Sequence, residues 1–248
     1  MISVSIIGYG NVGQQLAHSF HSSENANLVQ VYNRSQILPS SLPSELFIND
    51  LGQLKPADIY IISVSDRSVV EIASKLPFTD RLVVHTAGSL VFDALPDTNR
   101  RGVFYPLQTF SRSKSVDFSG LPVFVEAENE ADIALLESAA KALKARVFEI
   151  DTNQRKALHV SAVFACNFSN HMYKIADDIC KANNIPFDAL HPLILETAQK
   201  IMSLSPSEAQ TGPAIRRDEP TISAHLDFIN DASKKELYEL LTRSIQNG

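Results

Sequence analysis

The chain opens Ile2-Ser3-Val4-Ser5-Ile6-Ile7-Gly8-Tyr9-Gly10-Asn11-Val12-Gly13 and continues Gln14-Gln15-Leu16-Ala17-His18-Ser19-Phe20. A β-rich run, a glycine turn and a helical pattern follow one another directly. A second strand, Leu28 to Tyr32, then ends in Asn33-Arg34-Ser35. This order is that of the first βαβ unit of a dinucleotide-binding fold. Gly8 suits the tight turn out of the strand. Gly10 lets the backbone approach a pyrophosphate, and Gly13 lets the helix pack closely on the sheet. The loop of Gly8, Tyr9, Gly10, Asn11, Val12 and Gly13 leads into a helix start whose N–H groups and dipole favour phosphate. The alternative is a glycine-rich turn in a fold that binds no nucleotide.

The end of the second strand bears on the cofactor. NAD-preferring versions carry Asp or Glu there, accepting hydrogen bonds from the ribose 2′-hydroxyl. Here Asn33, Arg34 and Ser35 replace the carboxylate. A guanidinium beside an amide and a hydroxyl suits a 2′-phosphate, so the expected cofactor is NADP(H). The plain alternative makes Arg34 a solvated loop charge.

Bulk properties narrow the field. The 248 residues allow one large or two modest domains. Hydrophobic content of 44%, charged content of 20% and a net charge of −6 are those of an ordinary globular chain. With no Lys/Arg-rich run, neither nucleic acid nor an acidic membrane is expected as a partner. No apolar run has the length of a membrane span, and the start lacks the pattern of a signal peptide. Cys166 and Cys180, about 21 Å apart along one expected helix, cannot pair with each other there. Without metal-type spacing, they read as buried thiols in a reducing cytoplasm, and no metal site is expected.

Further strand-like runs follow at 58–64, 81–85, 102–105, 121–125 and 146–150, with a helix from Ala131 to Leu143. Strands alternating with helices predict an α/β fold with a mostly parallel sheet. Past Asp151 the pattern becomes helical. One long helix is expected from Gln154 to Ala182 and a second from Phe187 to Leu204. Shorter helices are expected at Leu226–Ile229 and Lys234–Ile245. The expected organisation is a Rossmann-like dinucleotide-binding domain over residues 1–152 and an all-α domain over 153–248.

In open parallel sheets, ligands sit outside the carboxyl ends of the strands. Ser63-Val64-Ser65-Asp66, His85-Thr86-Ala87-Gly88-Ser89 and Tyr105-Pro106-Leu107-Gln108-Thr109 fall there. Val64, Ser65, Thr86 and Gly88 are expected along the cofactor, and Gln108 near the substrate. Asp66 is read as the cap of the helix it opens, Asp66 to Leu76.

Within the long helix, Lys156, His159, Asn167 and Asn170 recur at spacings of three, eight and three, which puts them on one face of an unbroken helix. A polar stripe on a helix needs partners, and a substrate cleft supplies them. His159 is the expected proton donor for carbonyl or imine reduction. Lys156 could polarise a carbonyl, and Asn167 and Asn170 could orient it. Each has a plainer structural reading. The small residues Ser161, Ala162, Ala165, Cys166 and Ser169 would let another backbone pack closely. In the loop Ala209 to Asp218, Thr211-Gly212-Pro213 forms a turn followed by Arg216 and Arg217, a set suited to a substrate carboxylate. The alternative is an interhelix loop whose arginines pair with Asp218 or Glu219.

These segments resemble one family. Ile6 to Gly13, Phe104-Tyr105-Pro106-Leu107-Gln108-Thr109-Phe110, Leu158 to Phe168, Ala209 to Asp218 and His225 are similar to proteins that join a Rossmann-like domain to the helical domain DUF2520. That group is related to 6-phosphogluconate dehydrogenase and pyrroline-5-carboxylate reductase. The resemblance implies NADP-linked reduction of a small oxo acid or imino acid, with ketopantoate one candidate, and a homodimer through the helical domain. One feature departs from the β-hydroxyacid dehydrogenases, which carry Asn four residues after the lysine. Here that position after Lys156 is Val160, so His159 with Asn167 forms the expected core. The competing reading is a non-catalytic NADP(H)-binding redox sensor.

Overall fold

A computed structural model describes residues 1–35 and 42–248. Two compact units emerge, Met1–Cys166 and Asn167–Gly248. The first is built on eight strands: β1 (Ile2–Ile7), β2 (Ala26–Tyr32), β3 (Phe47–Ile48), β4 (Ile59–Ile62), β5 (Leu82–His85), β6 (Arg100–Pro106), β7 (Pro122–Ala127) and β8 (Arg146–Glu149). Their order is β3-β2-β1-β4-β5-β6-β7-β8, parallel throughout except between β6 and β7. The α/β expectation holds. The two-residue β3 was absent from the sequence reading.

Every residue of β4 and β5 is buried, as parallel strands covered on both faces require. One apolar layer gathers Val4, Ile6, Leu16, Phe20, Phe104 and Leu136. The other gathers Ile7, Tyr60, Ile62, Val69 and Val83. Helix α1 (Asn11–His21) buries Leu16, Ala17 and Phe20, and α3 (Glu130–Ala142) buries Leu136, Ala139 and Ala140. Helix α2 (Asp66–Ala73) starts after Ser65, which takes the N-cap position. Asp66, expected as the cap, instead sits in the first turn and accepts from Ser89 Oγ at 2.9 Å.

Helix α4 (Thr152–Ala162) begins at a full capping box, with Asp151 accepting from Asn153 and Gln154 N–H and Gln154 returning the bond. The expected single helix to Ala182 is interrupted. Val163–Phe168 is π-helical, and α5 (Ser169–Ala182) follows. The first unit therefore extends past the composition change near residue 152, because α4 is tied into it by Arg155 and His159.

The second unit is helical. After α5 come α6 (His191–Lys200), α7 (Pro206–Ala209), α8 (Glu219–Phe228) and α9 (Ala232–Asn247). Asp218 caps α8 through Thr221 N–H, with a proline in its first turn, so this helix is longer than Leu226–Ile229. Among the described residues, no helix is long and apolar enough to cross a membrane.

Candidate active site

At the carboxyl ends of β1, β4, β5 and β6 lies a cleft of about 660 Å³. It sits where strand order reverses around β1, the position at which open α/β sheets bind ligands. Residues from the glycine loop, from the ends of β2, β4, β5 and β6, and from α4 line it.

Two glycines of the loop are required by the protein's own packing. Gly8 has φ +110°, and a Cβ there would lie 2.4 Å from the Ser63 carbonyl oxygen. A Cβ on Gly13 would lie 2.1 Å from the Gly8 carbonyl oxygen, so Gly13 packs behind the loop and does not line the cleft. Gly10 differs. A Cβ there would meet only the Ser63 carbonyl oxygen, at 4.0 Å. No atom of the described residues fills that space, which leaves it for a ligand drawn close to the backbone. The start of α1 has no side-chain cap and no acidic residue in its first turn. Its free N–H groups and dipole make a fitting anion cradle. Asn11 and Val12 line the cleft beside them, and Asn11 Nδ2 donates to the Phe110 carbonyl. Tyr9 also lines it, its hydroxyl bonded to His18 Nε2 and its ring set edge-on to Phe47.

Asn33, Arg34 and Ser35 form one end of the lining, and Arg34 is exposed there. Val64, Ser65, Thr86, Gly88 and Gln108 line it as well. Gln108 Oε1 already accepts from the Thr109 N–H and hydroxyl, which leaves its amide N–H groups to donate elsewhere.

His159 is the one residue of the expected catalytic set in this lining. Its Nδ1 lies 3.1 Å from the Tyr105 hydroxyl, and the rings meet edge-on. Burial raises the Tyr105 pKa, opposed by the Arg155 charge, so the phenol keeps its proton. A Cβ on Gly88 would fall 2.4 Å from His159 Nδ1, so the imidazole rests directly on the Gly88 backbone. Lys156 is exposed and outside the lining.

The expected polar stripe relied on an unbroken 3.6-residue period between His159 and Asn167. The π-helical run begins at Val163 and includes Asn167, and its wider turns shift the phase. Asn167 and Asn170 are exposed residues of the second unit. Thr211, Gly212, Arg216 and Arg217 also belong to that unit. Arg216 lies 3.9 Å from Asp218, and Arg217 donates to the Gln246 carbonyl at 3.3 Å.

Three contributors were missed in the sequence. Gln15 is buried and donates to the Ser111 and Lys114 carbonyls while accepting from Val116 N–H. It thereby pins the loop that brings Phe110 and Arg112 into the lining. Tyr105 appeared only as part of a motif. Arg155 lies in a polar Gln-Arg-Lys run, with nothing in the sequence to mark it as buried.

The family model described as "Domain of unknown function (DUF2520)" matches residues 121–245. The chain belongs to the DUF2520 family. A crystal structure named "putative NADP oxidoreductase BF3122" from Bacteroides fragilis is similar to this DUF2520 chain at 40% identity. It covers all of this chain and 98% of that one, with a TM-score of 0.86. Protein TM1727 from Thermotoga maritima shares the fold at 18% identity and a TM-score of 0.75, covering 98% and 97% of the two chains. So does a pyrroline carboxylate reductase from Plasmodium falciparum with NADP bound, at 11% identity and a TM-score of 0.63, covering 99% and 98%. No curated protein matches the sequence.

Proposed function

We propose that this DUF2520 protein is an NADP(H)-dependent reductase of a small oxo acid or imino acid, with ketopantoate one candidate. The observation that carries the reading is the shared cleft: the uncapped glycine-loop helix and the His159–Tyr105 pair line the same cavity. The name of the Bacteroides relative, at 40% identity over the whole chain, supports the same chemistry.

In this reading the backbone of Gly8, Tyr9, Gly10, Asn11 and Val12 holds the pyrophosphate. Asn33, Arg34 and Ser35 hold the ribose 2′-phosphate. Val64, Ser65, Thr86 and Gly88 follow the cofactor inward. A nicotinamide held there would supply hydride to the substrate carbon. His159, as imidazolium, supplies the proton from Nε2 to the substrate oxygen or nitrogen. Its Nδ1–H meanwhile donates to the Tyr105 oxygen, which fixes the ring and leaves Nε2 for the substrate. Gln108 can donate to the same developing charge. The reading rests on residues of the first unit alone.

We also infer a homodimer through the helical unit. Among its described residues, only Cys180, Ala214 and Ile222 are buried apolar side chains, while Leu193, Leu195, Ile201, Met202, Phe228 and Leu240 are exposed. So much uncovered apolar surface on one small unit is that of an interface, and a second copy is its natural cover. Cys180 is buried as expected, whereas Cys166, also expected to be buried, is exposed; both are free thiols, which suits the cytoplasm proposed for the protein.

The test is a screen of small oxo and imino acids for NADPH consumption, with wild type and His159→Ala. The variant should lose turnover by roughly 10²–10⁴. Turnover unchanged in the variant, with only a lower melting temperature, ends the catalytic assignment. NADPH binding without turnover of any substrate favours the sensor reading.

A further inference from the structure

Arg155 is fully buried, the largest such side chain among the described residues. Its Nη1 lies among three carbonyl oxygens of one turn, those of Ala87 at 3.3 Å, Gly88 at 3.1 Å and Leu90 at 2.7 Å. Its Nη2 donates to Glu126 Oε2 at 2.9 Å and to Thr152 Oγ1 at 3.2 Å. Thr152 Oγ1 in turn donates to Glu126 Oε1 at 2.6 Å. Among the described residues the Nε–H has no acceptor.

Stability does not account for this arrangement. Desolvation of a buried ion pair consumes most of its Coulomb gain, and an orphaned N–H adds to the cost. What the planar fork provides is geometry. Apart from Thr152 on α4 itself, its acceptors come from the turn at 87–90 and from β7, both remote from Arg155 in sequence. The Ala87 N–H is held from below by His85 Nδ1 at 3.2 Å. Buried side chains thus grip both the N–H and the carbonyl side of the turn.

That turn carries Gly88, the surface on which the His159 ring rests. Arg155 and His159 lie four residues apart, one turn along α4. One side chain grips the turn, and the next lays an imidazole on it. The geometry points to Arg155, with Glu126, as a positioning residue: it fixes the 87–90 turn against α4 so that His159 and Tyr105 meet over Gly88. Its effect on turnover rests on the reductase reading; its effect on His159 geometry does not.

The test is the imidazole NMR spectrum of His159 in the full chain, assigned by its loss in His159→Gln. Tyr105→Phe serves as the reference for a broken Tyr–His bond. In Arg155→Lys, which keeps the charge but not the fork, the His159 resonances should move to those of Tyr105→Phe. For any substrate found, kcat should fall on the order of 10²-fold with KM nearly unchanged, as for an active group displaced by about 1 Å. His159 signals that stay at their wild-type positions in a folded Arg155→Lys chain overturn the proposal. Should that variant not fold, the double variant Glu126→Gln/Thr152→Val alters the Nη2 acceptors instead, and unmoved His159 signals there overturn it equally. The spectrum needs no substrate. Failure of every carbonyl and imine in the NADPH screen would therefore remove the reductase reading and leave the positioning result intact.

Discussion

His85 makes the stability of the fold depend on pH in a calculable way. The side chain is fully buried at the end of β5, and its Nδ1 accepts from the Ala87 N–H. Burial first, and the Arg155 charge second, bring its pKa down from 6.5 to about 4, against a weaker opposite pull from the Val91 carbonyl and Asp66. In the unfolded chain the imidazole titrates near its ordinary value, about 6.5. Below that pH the unfolded chain takes up a proton that the folded one refuses. Stability is therefore complete above about pH 6.5, falls as pH drops, and stops falling from this source below about pH 4. The full loss is about 3 kcal/mol, and about 2 kcal/mol of it is gone by pH 5. The assay is urea unfolding between about pH 5 and 8 at fixed protein concentration, for wild type and His85→Asn. The variant keeps an acceptor near Nδ1 and cannot titrate. All other groups are common to both chains and cancel in the difference. The wild type should lose about 2 kcal/mol more than the variant on going to pH 5. Parallel loss in the two chains would refute the reasoning.

Two further outcomes follow from the geometry. Gly88→Ala would put a methyl 2.4 Å from His159 Nδ1, so the ring must shift. We expect a stability loss of about 1–3 kcal/mol from overpacking and a fall in turnover on the order of 10²-fold; thermal melts and steady-state kinetics check both, and wild-type turnover would contradict the placement of His159. Light scattering at micromolar concentration should report twice the chain mass. A monomeric wild type would remove the dimer.

The parts of the molecule legible in the sequence are those written in short-range pattern. Ile2 to Gly13 carries its strand, turn and helix start in consecutive residues, and the runs at 58–64 and 81–85 are apolar enough at their centres to declare buried strands. The two residues of β3 are too few to show a period. The π-helical run at 163–168 replaces α-helix without any change in residue type, so an apparently continuous stripe hid a change of phase. Arg155 and Gln15 were missed for a related reason. Their partners, the Ala87, Gly88 and Leu90 carbonyls in one case and Ser111, Lys114 and Val116 in the other, are remote in sequence. A polar residue that will be buried by distant backbone looks the same, in one sequence, as a solvated one. His159 is legible as a proton-transfer residue type on a polar helix face, but its rest on Gly88 and its bond to Tyr105 belong to the fold.

The most direct test of the account is calorimetric titration of NADPH and NADH into wild type and Arg34→Ala. The cleft as described should bind NADPH more tightly than NADH. Loss of Arg34 should weaken NADPH by roughly tenfold to a hundredfold, the worth of a charge-assisted hydrogen bond of about 1.5–3 kcal/mol, while sparing NADH. Equal binding of the two dinucleotides by wild type, or binding of neither, would contradict it.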